Sequence, residues 1–250
     1  MAAPKYSYPP GVFAAFVRDL LLLRKRDFRK DAQACIANIH PPLKIIDQEN
    51  IPQSGPCVIT VNHYHRDGFG AQWLALAIAS LAPVPMHWII TGEFTYPGKW
   101  YERFGTLGSK FLLRRIAHVY SFTSMPPMPP RENDVEARAA SVRAVLEFVK
   151  HTNTPVLGLA PEGYDPPGDV LSRPAPGLGR FGLLLSRAGL RFCPVGAYEM
   201  DGCFHVHFGK AYELSVPSAL SADEKDRQAS QLIMEHIADL LPLHLRGEFA

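Results

Sequence analysis

Apolar positions along the chain fall into two periods, and the places where one gives way to the other outline the predicted elements. In "PGVFAAFVRDLLLL", from about Pro10, they recur at helical spacing and run into the basic cluster "RKRDFRK", which predicts an amphipathic helix. A second helical piece over 32–39 ends at Pro41 and Pro42. "LKIID" and "CVITVN" read as strands, separated by the turn-rich "QENIPQSGP". A buried helix is predicted from Gly68 to Leu81, then a turn and a strand over Met86 to Thr91. "KWYERFGTLGSKFLLRRI" predicts another amphipathic helix, with Trp100, Phe104, Leu107 and Phe111 on one core-facing stripe and Arg103, Lys110 and Arg114 on a neighbouring face.

Beyond it, "AHVYSFTS" reads as a strand and "VEARAASVRAVLEFVK" as a helix capped by Asn133 or Asp134. "PVLGLA" is a short strand and "RFGLLLSRAG" a helix. "LRFCPVGAYE" and "CFHVHFGKAY" are closing strands, with His205 and His207 on a wetter face. Ser221 and Glu224 form a capping box for a last helix over Ala222 to Leu241. Helix and strand alternate, which predicts an α/β fold: a mixed sheet covered by helices on both faces, preceded by an N-terminal amphipathic helical pair. Residues 1–42 form that N-terminal segment and 43–250 the α/β unit, in one domain overall.

Composition narrows this picture a little. The hydrophobic fraction of 47% and charged fraction of 20% over 250 residues are those of a globular chain with a sizeable core. A net charge of +2 is too mild to imply nucleic-acid binding. Cys35, Cys57, Cys193 and Cys203 lie far apart without a C-x-x-C pair, so they read as reduced, buried thiols in a cytosolic protein. The apolar stretch "WLALAIASLAPVPMHWII" is interrupted by Pro83 and Pro85, so no transmembrane helix is predicted.

The candidate chemistry starts at "TVNHYHRDGFG", where His63, His65 and Asp67 occupy alternate positions. On extended backbone they would share one face, and two imidazoles with a carboxylate make a plausible zinc or iron ligand set. That reading is a metal-dependent hydrolase, whose remaining ligands would come from His118, Asp165, His205 or His207. The other reading takes His63 as a general base and Asp67, four residues on at a helix start, as the group that orients it.

"ENIPQSGPCVITVNHYHRD" resembles the first block of the glycerophospholipid and lysophospholipid acyltransferase superfamily, in which a strand feeds an Asn-His pair with an aspartate a few residues on. Asn62, His63 and Asp67 take those places, with the His-to-Asp spacing one residue shorter than usual. "LGLAPEGYDPPG" resembles the Pro-Glu-Gly block, matched by Pro161, Glu162 and Gly163, with Tyr164 and Asp165 in place of Thr-Arg. "FCPVGAY" resembles the last block through Pro194.

The resemblance implies transfer of a fatty acyl group from an acyl thioester to a lysolipid or related hydroxyl-bearing lipid. His63 and Asp67 are then catalytic, Glu162 and Gly163 contact the acceptor, and Asn62 and His65 are accessory. No metal or other cofactor is implied, and acyl-CoA or acyl carrier protein is the co-substrate. The strand that usually ends in a phosphate-binding arginine is here "AHVYSFTS", without one, and an aspartate at 165 would repel a phosphate, so the expected acceptor lacks a terminal phosphate. The cluster Arg24, Lys25, Arg26, Arg29 and Lys30 beside "FAAFVRDLLLL" suits an interfacial helix, giving a cytoplasmic protein held peripherally on a membrane. A lipid-binding protein of the same fold without catalysis is the remaining alternative.

Overall fold

The computed structural model describes residues 3–96, 98–128, 131–164 and 170–250. Its strands are β1 (Lys44–Ile46), β2 (Cys57–Val61), β3 (His87–Thr91), β4 (Thr123–Met125), β5 (Val156–Leu159), β6 (Arg191–Met200) and β7 (Cys203–Phe208). Its helices are α1 (Pro10–Leu22), α2 (Phe28–Ile36), α3 (Gln72–Leu81), α4 (Glu102–Tyr120), α5 (Val135–His151), α6 (Leu178–Arg187) and α7 (Ala222–Ala238). The strands form one mixed sheet in the order β1-β7-β6-β2-β5-β3-β4. β6, β2, β5, β3 and β4 run parallel, while the hairpin partner β7, with β1 beside it, runs the other way. Parallel strands need covered faces, and the central ones are buried along their length: Cys57 to Val61 and Val156 to Leu159 are inside throughout.

Right-handed crossovers put α3 and α4, which connect β2 to β3 and β3 to β4, on one face of the sheet. The connections through α5 and α6 run back across the sheet on the other face. α2 packs against α3, α1 against α4 and α7 against α6, so helices cover both faces. β2 and β5 lie side by side yet lead to opposite faces, which is the kind of switch point where open α/β sheets place their ligands.

Local chemistry explains the element ends. α1 stops at Leu22 because Leu23 is left-handed (φ 54), so the basic cluster forms a connector and the first turn of α2. α2 begins at Phe28, earlier than its pattern suggested, because Asp27 accepts from the Lys30 N–H at 3.1 Å. It buries Ala32 and Cys35, and Ile39 just beyond it, in the same core as the sheet. α5 has no side-chain cap: Asp134 instead pairs with Arg131 at 2.6 Å. α6 starts from Gly177 and is capped from α7, whose buried Asp226 accepts from the Gly177 and Arg180 N–H groups at 2.7 and 2.8 Å. The Ser221–Glu224 capping box of α7 is present, and α7 ends at Ala238.

Three further expectations change. The segment "AHVYSFTS" is mostly helix: α4 runs through to Tyr120, Ser121 turns left-handed (φ 58), and only Thr123–Met125 remain as strand. His205 is buried and stacks on Tyr198 with ring centroids 5.1 Å apart, so it is not on a wet face. The stripe expected in the core faces outward, with Trp100 92%, Phe104 76% and Phe111 61% exposed. Periodicity finds an apolar helix face; it does not tell whether another element covers it.

Candidate active site

β2 delivers the chain to the switch point, and residues 62–71 leave it as a loop, not as the helix expected from Gly68. Gly68 itself is left-handed (φ 80), and α3 begins only at Gln72. His63 and Asp67 therefore do not share a helix face. His63 and His65 are half-buried, and Asp67 is exposed on the turn.

Four attachments fix this loop. Asn62, 5% exposed, uses its amide as a substitute peptide: Nδ2 donates to the Ala197 carbonyl at 2.9 Å and Oδ1 accepts the Ala197 N–H at 2.7 Å. β2 pairs with β6 only as far as Val61, so this side chain continues the ladder after the backbone has turned away. The second attachment is the His63 backbone N–H, which donates to Glu162 Oε2 at 2.5 Å. In the third, Arg66 forms a bidentate ion pair with Glu199 at the end of β6. The fourth is Tyr6, from the N-terminal segment, which donates to Glu199 Oε1 at 2.5 Å and packs edge-on against Phe69, also in this loop.

Glu162 follows β5, the neighbour of β2, and is completely buried. Its Oε1 accepts from the Ser172 N–H at 2.8 Å and hydroxyl at 3.0 Å, and its Oε2 takes the His63 N–H. Burial raises the pKa of this carboxyl, and these hydrogen bonds together with His63 oppose the rise. With no exposed surface and its oxygens committed to protein donors, Glu162 holds the His63 segment in place. Gly163 turns left-handed (φ 72), and a Cβ there would lie 2.7 Å from Met128 Cγ.

Gly163 and Pro161 also line a largely apolar cavity of about 150 Å³ at the C-terminal ends of β3, β4 and β5. Arg138, from α5, is on its wall, donating to the Pro127 carbonyl at 2.9 Å, with burial lowering its pKa. Among the described residues, no three His, Cys, Asp or Glu side chains come together as a metal site would require. The trio His63, His65 and Asp67 is thus not the preformed ligand set of the hydrolase alternative. Asp165, invoked both as a ligand and as a phosphate-repelling group, lies outside the described residues.

No protein-family model matches the chain, and no curated protein sequence does. Its fold is similar to the crystal structure of the 1-acyl-sn-glycerophosphate (LPA) acyltransferase PlsC from Thermotoga maritima, with a TM-score of 0.52 over 91% of this chain and 89% of that one, at 12% sequence identity. The fold is PlsC-like. At that identity the likeness concerns architecture alone.

Within the PlsC-like fold, sequence reading found the two loops that meet at the switch point but missed what fixes them. Ser172 sits in a proline-rich loop without a motif. Arg66 and Glu199 are 133 residues apart, and only the sheet order makes them neighbours. Arg138 replaces nothing in register: β4 has no arginine, and this cation arrives from the next helix.

Proposed function

We propose that this chain transfers a fatty acyl group from an acyl thioester, carried by coenzyme A or acyl carrier protein, to a lysolipid or related hydroxyl-bearing lipid. The observation that carries the reading is the hydrogen bond between the His63 N–H and Glu162, which draws the Asn-His and Pro-Glu-Gly segments into one site on a PlsC-like fold. In this mechanism His63 accepts the acceptor's hydroxyl proton as its oxygen attacks the thioester carbonyl. The oxygen–acyl bond forms, the carbon–sulfur bond breaks, and the imidazolium returns the proton to the leaving thiolate. By the sequence resemblance, Asp67, on the exposed turn of the same loop, is the carboxylate assigned to balance the charge that forms on His63, with His65 as an accessory group, while Asn62 and Glu162 hold the backbone that leads into the base. No G-x-S-x-G segment occurs in the sequence, which favours direct transfer over a covalent acyl-enzyme. The apolar cavity beside Gly163 is of a volume that holds about a benzene ring, and suits one segment of an acyl chain.

For the acceptor we favour a molecule without a terminal phosphate. β4 carries no arginine, and Arg138 offers one guanidinium already engaged with the Pro127 carbonyl. With a lipid acceptor, the protein works peripherally at a membrane surface on the cytoplasmic side. The test is thiol release from a long-chain acyl-coenzyme A, or from acyl carrier protein, with a panel of lysolipids. Acceptor-dependent release is expected, lowered about a hundred- to ten-thousand-fold in His63→Ala. Binding of lysolipid without release from either donor would leave a lipid-binding protein instead. Faster turnover on lysophosphatidate than on zwitterionic or uncharged acceptors would refute the acceptor assignment.

A further inference from the structure

We infer that the outward faces of α4 and α1 together form a docking surface for an anionic lipid bilayer. Trp100, Phe104, Leu107 and Phe111 are all at least 60% exposed along α4 and the turn before it. Leu21 and Leu22 are 68% and 55% exposed at the end of α1. Arg115 joins the two: its guanidinium lies over the Phe111 ring at 4.5 Å, and its Nη1 donates to the carbonyls of Leu20 and Leu21 at 2.9 and 3.0 Å. The apolar residues therefore form one continuous face, rich in the rings that settle at the boundary between headgroups and acyl chains.

Charge identifies what covers this face. Arg103 and Arg114 are exposed on α4 beside the stripe, together with Lys110, which is half-exposed and also pairs with Glu93 at 3.6 Å, whereas Glu102 is the helix's one acidic residue and is bonded to the Gly98 N–H at 3.1 Å. A second copy docked face to face would set these cations against one another, which disfavours self-association. An anionic headgroup layer neutralises them while the rings reach the acyl chains. The N-terminal basic cluster, expected to supply this attraction, is largely engaged within the protein. Arg26 is locked between Asp19 and Asp31 at 2.6 Å from each, Arg29 donates to the Ala82 carbonyl, and Lys25 reaches the His118 carbonyl. The attraction moves to α4. This inference rests on the exposed face alone, so vesicle binding without turnover would count against acyl transfer only.

The experiment is co-sedimentation of the full chain with phosphatidylcholine vesicles, with and without a third of the lipid replaced by phosphatidylglycerol. Trp73 and Trp88 are buried, so a blue shift in tryptophan emission on binding reports Trp100. Binding to the anionic vesicles with that shift is expected, weakening as salt is raised. Trp100→Ser/Phe104→Ser/Phe111→Ser should weaken binding about tenfold or more, with an unchanged melting temperature because these side chains are exposed. Trp100→Phe should abolish the shift and keep the binding. Failure to bind either vesicle, equal binding by the triple variant, equal affinity for neutral and anionic vesicles, or dimerisation through this face without lipid binding would each overturn the proposal.

Discussion

Replacing Asn62 by alanine tests whether the loop that carries His63 is clamped as the geometry says. Asn62 satisfies both backbone groups of Ala197 through bonds of 2.9 and 2.7 Å, and both residues are buried. Alanine leaves a buried N–H and a buried C=O without partners, at about 1–3 kcal/mol each, so the expected loss is roughly 2–6 kcal/mol. Against a typical stability of about 5–15 kcal/mol this is large. In a protein of this size it corresponds to a fall in Tm of roughly 4–24 °C. Urea denaturation followed by circular dichroism measures it directly.

Asn62→Asp adds a discriminating arm. It keeps an acceptor for the Ala197 N–H but sets a carboxylate oxygen against the Ala197 carbonyl until it is protonated. Folding then favours the protonated acid, so the pKa of the new group is raised in the folded state. Stability relative to the parent should rise as the pH is lowered through that folded pKa. A loss below about 0.5 kcal/mol in Asn62→Ala, within the range of ordinary surface substitutions, would refute the clamp.

Four further outcomes are expected. Glu162→Gln keeps the shape but can no longer accept from both backbone N–H groups; relief of a buried charge offsets the lost bond, so stability changes little while turnover falls about tenfold or more, and parental kcat would contradict the positioning role. Burial pushes His87 from 6.5 down to about 4, so between those values the unfolded chain takes up a proton that the folded one refuses. Stability should fall as the pH drops through that window, by at most about 3 kcal/mol, and His87→Phe should flatten the profile of unfolding free energy against pH. A Cβ on Gly179 would lie 2.0 Å from the Asp226 carbonyl oxygen, so Gly179→Ala should force α6 from α7 and cost about 1–3 kcal/mol or more in chemical denaturation. Cys203, half-buried, should react with a thiol reagent in the folded protein well before the buried Cys35, Cys57 and Cys193, and equal rates would show that the core opens readily.

The sequence alone was sufficient for the alternation of helix and strand, for the Ser221–Glu224 box that opens α7, and for the two loops that meet at the candidate site. These rest on periods of two and 3.6 and on caps made by near neighbours, all short-range effects. It misjudged α4 because a strand-like "HVYSF" continues a helix whose end is set by Ser121 turning left-handed, and because an apolar stripe looks the same covered or bare.

Only the tertiary structure decided how the loop of His63 is held, since each of its attachments comes from a distant segment: Ala197 and Glu199 on β6, Glu162 after β5, Tyr6 near the N-terminus. The sheet order β6-β2-β5 makes these segments neighbours, and no local pattern encodes that order. The same reason separates the fates of two similar apolar faces. α3 is buried between the sheet and α2, whereas the stripe of α4 stays largely exposed among the described residues, so burial is a property of the neighbours that folding supplies.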